Sequence, residues 1–155
     1  MIRHLSTKLL LLLFLFSIPF RVLAQGSDGK ASVDTVSKSG NEKHKVIVYY
    51  LYFMPRCQTC LDMEAYAKEA VESDFSEDLK QGRVEWHAYN TDLEDYKHFW
   101  DDFKLETKSL IVVEMQDGKQ VRWKNCEKIW DLVGAKPDFL KYVQDEVRSY
   151  LAKKE

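Results

Sequence analysis

The stretch Val46-Ile-Val-Tyr-Tyr-Leu-Tyr-Phe-Met-Pro-Arg-Cys-Gln-Thr-Cys60 decides the fold of this 155-residue chain. Residues 46–53 are all apolar or aromatic, a composition typical of a β-strand that is covered on both faces. Residues 54–56 then interrupt the strand, and Cys57 opens a helical pattern. The sequence therefore predicts a central strand that leads directly into a helix beginning at two cysteines. The inward face of that helix is expected to carry Met63, Ala67, Ala70 and Val71.

A second strand and a second helix follow this unit. The first helix is expected to bend near residues 73–76. Alternation of apolar and polar residues over 84–89 predicts a half-buried edge strand. Apolar residues then recur at helical intervals over 93–103, and Thr91 with Glu94 has the spacing of a capping box. We therefore predict a second helix over 93–103.

The sequence pattern of the C-terminal third indicates a β-hairpin followed by two more helices. An apolar strand over 110–115, the turn signal Asp117-Gly118 and a returning strand over 119–123 form the hairpin. Asn125 is expected to cap a short helix that ends before Gly134, and Pro137 suits the first turn of the last helix. The fold class is thus α/β, in the order β-α-β-α-β-β-α, with a short extra helix before the C-terminal one. The last helix is expected to face inward with Leu140, Val143, Val147 and Leu151.

The N-terminal sequence indicates that the protein is exported. Basic residues precede an apolar run over 9–20, and small residues end at Ala24, the pattern of a secretory signal peptide. We expect cleavage after Ala24, with an uncleaved N-terminal anchor as the alternative. Residues 25–45 then form a flexible tether, because they hold too few apolar side chains to bury a face. Residues 46–155 form one domain, and the mature protein is expected to be periplasmic or secreted.

The charge balance argues against two classes of partner. Loss of the leader removes Arg3, Lys8 and Arg21 and takes the formal net charge from −2 to −5. A mildly acidic protein lacks the basic stripe that nucleic acids require, and it does not adhere to anionic lipid. We therefore expect no nucleic-acid partner and no membrane insertion after cleavage of the signal peptide.

The two cysteines form the candidate site. Cys57 and Cys60 follow a buried strand and open a helix, a context typical of a redox-active dithiol. The helix N-terminus favours thiolate over thiol, and Arg56 adds a positive charge beside Cys57. Cys57 lies at the exposed helix tip and is expected to attack, while Cys60, one turn deeper, resolves. A metal or metalloid site at the same two sulfurs and a purely structural bridge are the alternatives.

The strand, the Cys57-x-x-Cys60 pair and the order of the later elements resemble the thioredoxin superfamily over residues 45–153. More narrowly, the run Val121-Arg-Trp-Lys-Asn-Cys-Glu-Lys-Ile-Trp130, followed by Asp131-Leu-Val-Gly134, is similar to exported ArsF-type proteins, which are named as subunits of a nitrophenyl-compound nitroreductase. The first resemblance implies a thioredoxin-like fold. The second implies electron delivery to a partner protein and a link to arsenic handling.

Three positions depart from the thioredoxin pattern. Arg56 stands where thioredoxins usually carry a tryptophan, and Leu51 stands where they carry a buried acid. Residues 107–109 replace the segment with the cis-proline that normally packs against the dithiol. These departures predict a dedicated partner rather than general disulfide reduction, and they keep the metal alternative open. Lys108 is interpreted either as a group that approaches the sulfurs and stabilises thiolate, or as an ordinary solvated lysine.

Other residues have a structural interpretation and a functional one. Cys126 is interpreted as a small buried hydrophobe, with pairing to Cys57 or between chains as the alternative. His87 and His98 lack the spacing of metal ligands. Met54 is expected to pack at the strand end, with copper ligation as the alternative. Trp86, Trp100 and Trp123 are expected in the core, while Trp123 and Trp130 could instead form an exposed docking patch.

These observations together predict an exported thiol–disulfide oxidoreductase or electron carrier that uses Cys57 and Cys60 on a protein disulfide or reductase partner. No organic cofactor is expected. A dithiol module that binds copper or arsenic, and a noncatalytic subunit of a reductase complex, are the alternatives. The direction of electron flow and the oligomeric state do not follow from the sequence.

Overall fold

The computed structural model describes residues 44–152, so the expected signal peptide and nearly all of the expected tether lie outside the described residues. The elements are β1 (His44–Tyr52), α1 (Gln58–Asp74), α2 (Ser76–Lys80), β2 (Val84–Asn90), a 3-10 turn (Glu94–Tyr96), α3 (Phe99–Asp102), β3 (Ser109–Gln116), β4 (Lys119–Asn125), α4 (Ile129–Leu132) and α5 (Lys136–Leu151). No helix within 44–152 is long and apolar enough to cross a membrane.

The four strands form one sheet in the order β2-β1-β3-β4. Strand β2 runs parallel to β1, while β3 is antiparallel to both β1 and β4. The predicted central strand and the predicted edge strand are both confirmed. The chain has the α/β, thioredoxin-like fold that was expected, with the cysteine pair at the start of the helix after β1.

Strand β1 separates two cores, because its side chains alternate between the two faces of the sheet. Val48 and Tyr50 lie on the face covered by α1 and α5, where the larger core forms. Ile47 and Leu51 face a smaller core that holds Phe103 and Leu105. A continuous apolar run therefore suits β1, since neither of its faces meets solvent.

Helix α1 packs its predicted stripe into the larger core, where Met63, Ala67, Ala70 and Val71 are fully buried. The predicted bend lies at Phe75, which separates α1 from α2 and is itself buried. Helix α5 differs in part from the expectation. Val143 and Val147 are buried as expected, but Phe139 and Tyr150 complete the stripe, since the Phe139 ring packs edge-on against Tyr66 of α1.

The predicted second helix is wrong as a continuous element, because the segment over 93–103 holds only the 3-10 turn and the four-residue α3. The hydroxyl of Thr91 donates to the carbonyl of Tyr52 at 3.1 Å and so does not cap a helix. Tyr96 stacks on Tyr89 of β2 with ring centroids 4.2 Å apart. Lys104, with a φ of 49°, then ends α3. Aromatic packing against β2 therefore replaces regular helical hydrogen bonding here.

The β3–β4 hairpin forms as predicted, with Asp117 at a φ of 53° and Gly118 at a φ of 76°. Two successive positive φ values match the twist of a tight hairpin, and glycine adopts one without steric cost. The expected short helix is only partly confirmed. Asn125 belongs to β4 rather than capping a helix, and α4 begins at Ile129 with no side-chain cap.

Candidate redox site

Cys57 and Cys60 form a disulfide at the N-terminus of α1, with their Cα atoms 5.2 Å apart. Cys57 is the N-cap residue, with extended backbone angles, and its side chain is exposed. Cys60 lies within the first turn and is only 2% exposed. The two sulfurs therefore differ in their access to solvent. This difference suits an exposed nucleophile at Cys57 and a buried resolving group at Cys60.

One backbone amide of α1 points at the exposed sulfur, and the next one along the helix bonds to the Cys57 carbonyl. The Cys60 N–H donates to Cys57 Sγ at 3.4 Å, and the Leu61 N–H donates to the Cys57 carbonyl at 3.1 Å. The unpaired N–H groups and the positive dipole end of a helix N-terminus favour a negative charge at this position. After reduction, the same amide can donate to a Cys57 thiolate, and a stabilised thiolate is the reactive form of cysteine.

Tyr50 of β1 contacts the first turn of α1 beneath the disulfide. The sequence alone did not identify this residue. Its side chain is fully buried, and its hydroxyl donates to the Cys60 carbonyl at 2.7 Å. Burial raises the pKa of Tyr50 above its ordinary value, so the hydroxyl stays neutral and remains a donor. The signal that could have found it is that Tyr50 alternates in phase with Val46 and Val48, on the face of β1 that enters the larger core, where a buried hydroxyl needs a partner.

Arg56 precedes Cys57, but its guanidinium is engaged elsewhere. It forms an ion pair with Glu64, two turns along α1, and its Cζ lies 4.1 Å from the centroid of the Tyr52 ring. The Glu64 carboxylate compensates the positive charge that the sequence places beside Cys57. Arg56 therefore joins the loop to the helix and to β1.

The loop between β1 and α1 is braced by residues that follow β2. The Met54 N–H donates to the Asp92 carboxylate at 2.8 Å, and the Thr91 N–H donates to the Tyr52 carbonyl at 2.7 Å. The Met54–Pro55 peptide bond is cis. Met54 itself is 58% exposed, so the expectation that it packs at the strand end is wrong.

Lys108 lies immediately before β3, at the same end of the sheet as the cysteines. Ser109 pairs with Leu51 of β1, which places residue 108 beside the point where β1 ends. Lys108 is only 8% exposed, so the interpretation as a solvated lysine is wrong. Its Nζ lies 3.9 Å from the centroid of the Phe53 ring.

Trp130, in α4, contacts the segment that carries Lys108. Its indole N–H donates to the Lys108 carbonyl at 3.1 Å, while the ring is 38% exposed. Beside it, a cleft of about 240 Å³ opens between the segment before β3 and the end of β4. The lining of this cleft is mostly polar and comprises Lys104, Glu106, Thr107, Ser109, Asn125, Glu127 and Trp130.

Exposed apolar side chains concentrate at this end of the sheet. Of the five large apolar side chains that residues 44–152 leave exposed, Met54 and Leu61 flank the disulfide in sequence. Leu93 follows the Asp92 that holds the Met54 amide, and Trp130 bonds to Lys108. We call Met54, Leu61, Leu93 and Trp130 the apolar rim.

The remaining sequence candidates have other packing partners than the dithiol. Cys126 is free and fully buried in the larger core, which confirms its interpretation as a small hydrophobe. His87 stacks against Tyr49 and Tyr89 on the outer part of the sheet, and His98 packs against Phe99. Within the described part of the chain, no group of three or more His, Cys, Asp or Glu side chains is arranged to hold a metal ion.

The tryptophans follow the core interpretation except for Trp130. Trp86 packs against the larger core, while Trp100 and Trp123 pack against the smaller one. The Trp123 ring meets Phe103 edge-on at 5.3 Å. Trp130 therefore contributes to the apolar rim without Trp123.

The geometry supports a thiol redox role. An exposed cysteine receives backbone hydrogen bonds at a helix N-terminus and is bridged to a buried cysteine one turn deeper. Such a pair can form and break its bond reversibly. A substrate sulfur can reach the exposed Cys57, and the buried Cys60 can then displace it from the mixed disulfide.

No protein-family model and no curated protein matches the chain. It is similar to a solved malarial protein at 14% identity, over 70% of this chain and 99% of that one, with a TM-score of 0.41. It is similar to a designed protein at 17% identity, over 73% and 80%, with a TM-score of 0.38. It is also similar to Chlamydomonas reinhardtii thioredoxin f2 at 12% identity, over 60% and 80%, with a TM-score of 0.34. The strand order and the cysteine pair at the start of α1, rather than these likenesses, establish the thioredoxin-like fold.

Proposed function

We propose that this protein is an exported thiol–disulfide oxidoreductase that exchanges electrons with a dedicated protein partner through Cys57 and Cys60. The observation that carries the proposal is the asymmetry of the pair. Cys57 is exposed and accepts a backbone N–H, whereas Cys60 is 2% exposed beneath it. Export is supported by the leader pattern of residues 1–24.

The proposed reaction needs no group beyond the two sulfurs. The Cys57 thiolate attacks one sulfur of a partner disulfide, forms a mixed disulfide and releases the other partner sulfur as a thiolate. Cys60 then loses its proton and attacks Cys57 Sγ, which breaks the mixed bond and closes the internal bridge. The partner gains two electrons and the protein loses two. The reverse sequence oxidises a partner dithiol.

The surroundings of the disulfide support a protein partner. The apolar rim offers side chains that a protein surface can bury, and burial of apolar area is the main favourable term in protein association. The Met54 amide is already bonded to Asp92, which fixes the backbone of this part of the rim before a partner arrives. A partner that covers the rim would exclude water from the sulfurs during exchange.

The decisive experiment is a redox titration of protein expressed from the full-length sequence. The protein is equilibrated with glutathione buffers of known potential, alkylated, and weighed by mass spectrometry. We expect a reversible two-electron transition between about −120 and −270 mV. The same mass spectrum shows whether residues 1–24 have been removed.

Variants assign the roles. Cys60→Ser is expected to retain a stable mixed disulfide with a disulfide substrate, while Cys57→Ser forms none and Cys126→Ser behaves as the parent protein. A potential below about −300 mV would instead identify a structural bridge. If the reduced protein fails to close the bridge but binds copper(I) or arsenite through Cys57, the alternative of a binding module replaces the proposal.

A further inference from the structure

The cleft beside Trp130 is lined by polar side chains that the fold itself does not use. It has a volume of about 240 Å³ and lies between the segment before β3 and the end of β4. Within residues 44–152, four of the lining side chains make no hydrogen bond and no ion pair with the protein: Lys104, Glu106, Asn125 and Glu127. Polar groups that converge on a cleft without partners of their own are a feature of binding sites.

The size and the polarity of the cleft restrict what it can hold. Pockets for drug-sized ligands and cofactors usually measure about 300–1,000 Å³ and are lined mostly by apolar groups. A volume of 240 Å³ corresponds to about eight water molecules at about 30 Å³ each. The cleft therefore suits a single polar side chain of another protein better than a nucleotide or an organic cofactor.

The chemistry of the lining favours a basic side chain. Glu106 and Glu127 bring two carboxylates to the cleft and Lys104 brings one ammonium group, so the lining has a net charge of −1. The Trp130 ring lines the same cleft and is 38% exposed, while its indole N–H is bonded to the Lys108 carbonyl. This hydrogen bond fixes the ring, and tryptophan is the aromatic side chain that attracts a cation most strongly.

The cleft lies at the end of the sheet where the redox site begins. Ser109, which also lines the cleft, pairs with Leu51, one residue before the end of β1. The loop that follows β1 leads to Cys57 at the N-terminus of α1. A protein segment that runs across this end of the sheet would therefore pass both the disulfide and the cleft.

We infer that the cleft is a specificity subsite that takes a lysine or arginine side chain lying close to the reactive cysteine of the partner. The cation packs on the Trp130 ring and pairs with the carboxylates of Glu106 and Glu127. The inference rests on the proposed thiol–disulfide exchange and adds the class of substrate, which is a protein disulfide with a basic neighbour. The exchange step itself is unchanged, because no covalent bond forms or breaks at the subsite.

Peptide disulfides test the subsite with the reduced protein. Each peptide has one cysteine and is used in excess as its symmetrical disulfide, so that one dimer gives two peptide thiols while the protein closes its own bridge. A lysine is moved through the positions on either side of the cysteine, and norleucine at the same position is the uncharged match. The rate constant for each peptide is divided by that for dithiothreitol, which removes the intrinsic effect of lysine on the disulfide.

A restricted set of lysine positions is expected to react at least about tenfold faster than the norleucine match, equivalent to about 1.4 kcal/mol. Arginine at those positions should give a similar gain, because it also carries a cation that packs on an aromatic face. Glutamate there should give none.

Variants connect the preference to the cleft. The double variant Glu106→Gln, Glu127→Gln should bring the lysine and norleucine peptides within about twofold of each other. The double variant Glu72→Gln, Glu77→Gln is the matched control, because it removes the same charge from the last turn of α1 and from α2. The control should keep the preference of the parent protein.

Two further changes test the ring and the competing cation. Trp130→Leu removes the aromatic face and should lower the preference for lysine, whereas Trp130→Phe keeps a ring and should retain more of it. Lys104→Gln removes the ammonium group from the lining and should raise the preference. A preference that survives in the double variant of Glu106 and Glu127 would overturn the assignment to this cleft.

The peptide rates of the parent protein separate this inference from the proposed function. Equal normalised rates for all lysine positions and for norleucine overturn the subsite while the exchange itself stands. An equal gain at every lysine position also overturns it, because a general attraction of an acidic protein for cations has no preferred position. If the reduced protein exchanges with no peptide at all, the proposed function fails and this inference fails with it.

Discussion

At the scale of single residues, Tyr50 connects the buried sheet to the redox site. Its hydroxyl donates to the Cys60 carbonyl at 2.7 Å in a fully buried setting. An intramolecular hydrogen bond contributes about 1 kcal/mol net. Tyr50 therefore ties the first turn of α1 to β1.

We predict that Tyr50→Phe lowers the free energy of unfolding of the oxidised protein by about 0.5–1.5 kcal/mol, because the ring stays and only the donor is lost. Urea denaturation at neutral pH measures the change. Tyr52→Phe is the control, since the contact of Tyr52 with Arg56 uses the ring face rather than the hydroxyl. A Tyr50→Phe protein as stable as the control would show that the hydrogen bond contributes nothing.

The site residues divide into those that the sequence reveals and those that it does not. Cys57 and Cys60 could be identified because a motif, a strand and a helix start coincide at one point. The sequence places Arg56 beside Cys57, but it does not show that Glu64 takes up the charge. The burial of Lys108 and its bond to Trp130 depend on contacts across 22 residues, which no local pattern encodes.

At the scale of elements, the strands and α1 were predictable because burial on one face leaves a clear period in the sequence and burial on both faces leaves a continuous apolar run. The second helix was not. Apolar residues recur at helical spacing over 93–103, yet Tyr96 and Phe99 stack on Tyr89 and divide the segment. Tertiary packing there overrides the local pattern, as it commonly does for short helices.

An ion-pair cluster joins the β3–β4 hairpin to neighbouring elements. The Glu114 carboxylate pairs with Arg122 of β4 and with His44 of β1, while Arg122 also donates to the Ser149 carbonyl of α5 at 3.2 Å. Burial alone would raise the pKa of Glu114, but hydrogen bonds and charge from Arg122 and His44 lower it below its ordinary value. The cluster therefore favours the ionised carboxylate in the folded protein.

A lowered pKa in the folded state gives stability that is present above the unfolded pKa of about 4.3 and is lost as the pH falls through the folded value. We predict that Glu114→Gln lowers the free energy of unfolding by about 1–3 kcal/mol at neutral pH. The difference should shrink as the pH falls below about 4. Denaturant titrations at several pH values measure it.

Glu72→Gln is the control for that series, because Glu72 forms an exposed pair with Lys68 at 3.7 Å. Exposed pairs contribute about 0–1 kcal/mol, so this variant should show little dependence on pH relative to the parent. If the free energy of unfolding depends on pH identically in the two variants, the Glu114 cluster does not stabilise the fold.

At the scale of the whole molecule, one sheet divides the domain into two unequal cores. The larger core lies under two long helices, and the smaller one is covered by the short segments that follow β2. Cys126 belongs to the larger core and is fully buried. Burial and the nearby Glu146 raise the pKa of the Cys126 thiol to about 12.

We predict that Cys126 resists alkylation in the folded protein and reacts only when the domain opens. In the native state the reagent cannot reach the buried sulfur, and the raised pKa keeps it as an unreactive thiol. Iodoacetamide labelling followed by mass spectrometry, at increasing urea concentration, should track the global unfolding transition measured by circular dichroism. Labelling of Cys126 well before that transition would show that the larger core opens locally.

The burial of Cys126 also bears on how the bridge is first made. Three cysteines in an unfolded chain allow three different disulfides, and two of these use Cys126. A chain with either wrong bridge cannot place Cys126 in its buried position between β4 and α4. Oxidation before folding therefore gives a mixture that needs an isomerase or free thiol to rearrange. A chain that folds first conceals its third thiol, and the oxidant then finds only the correct pair.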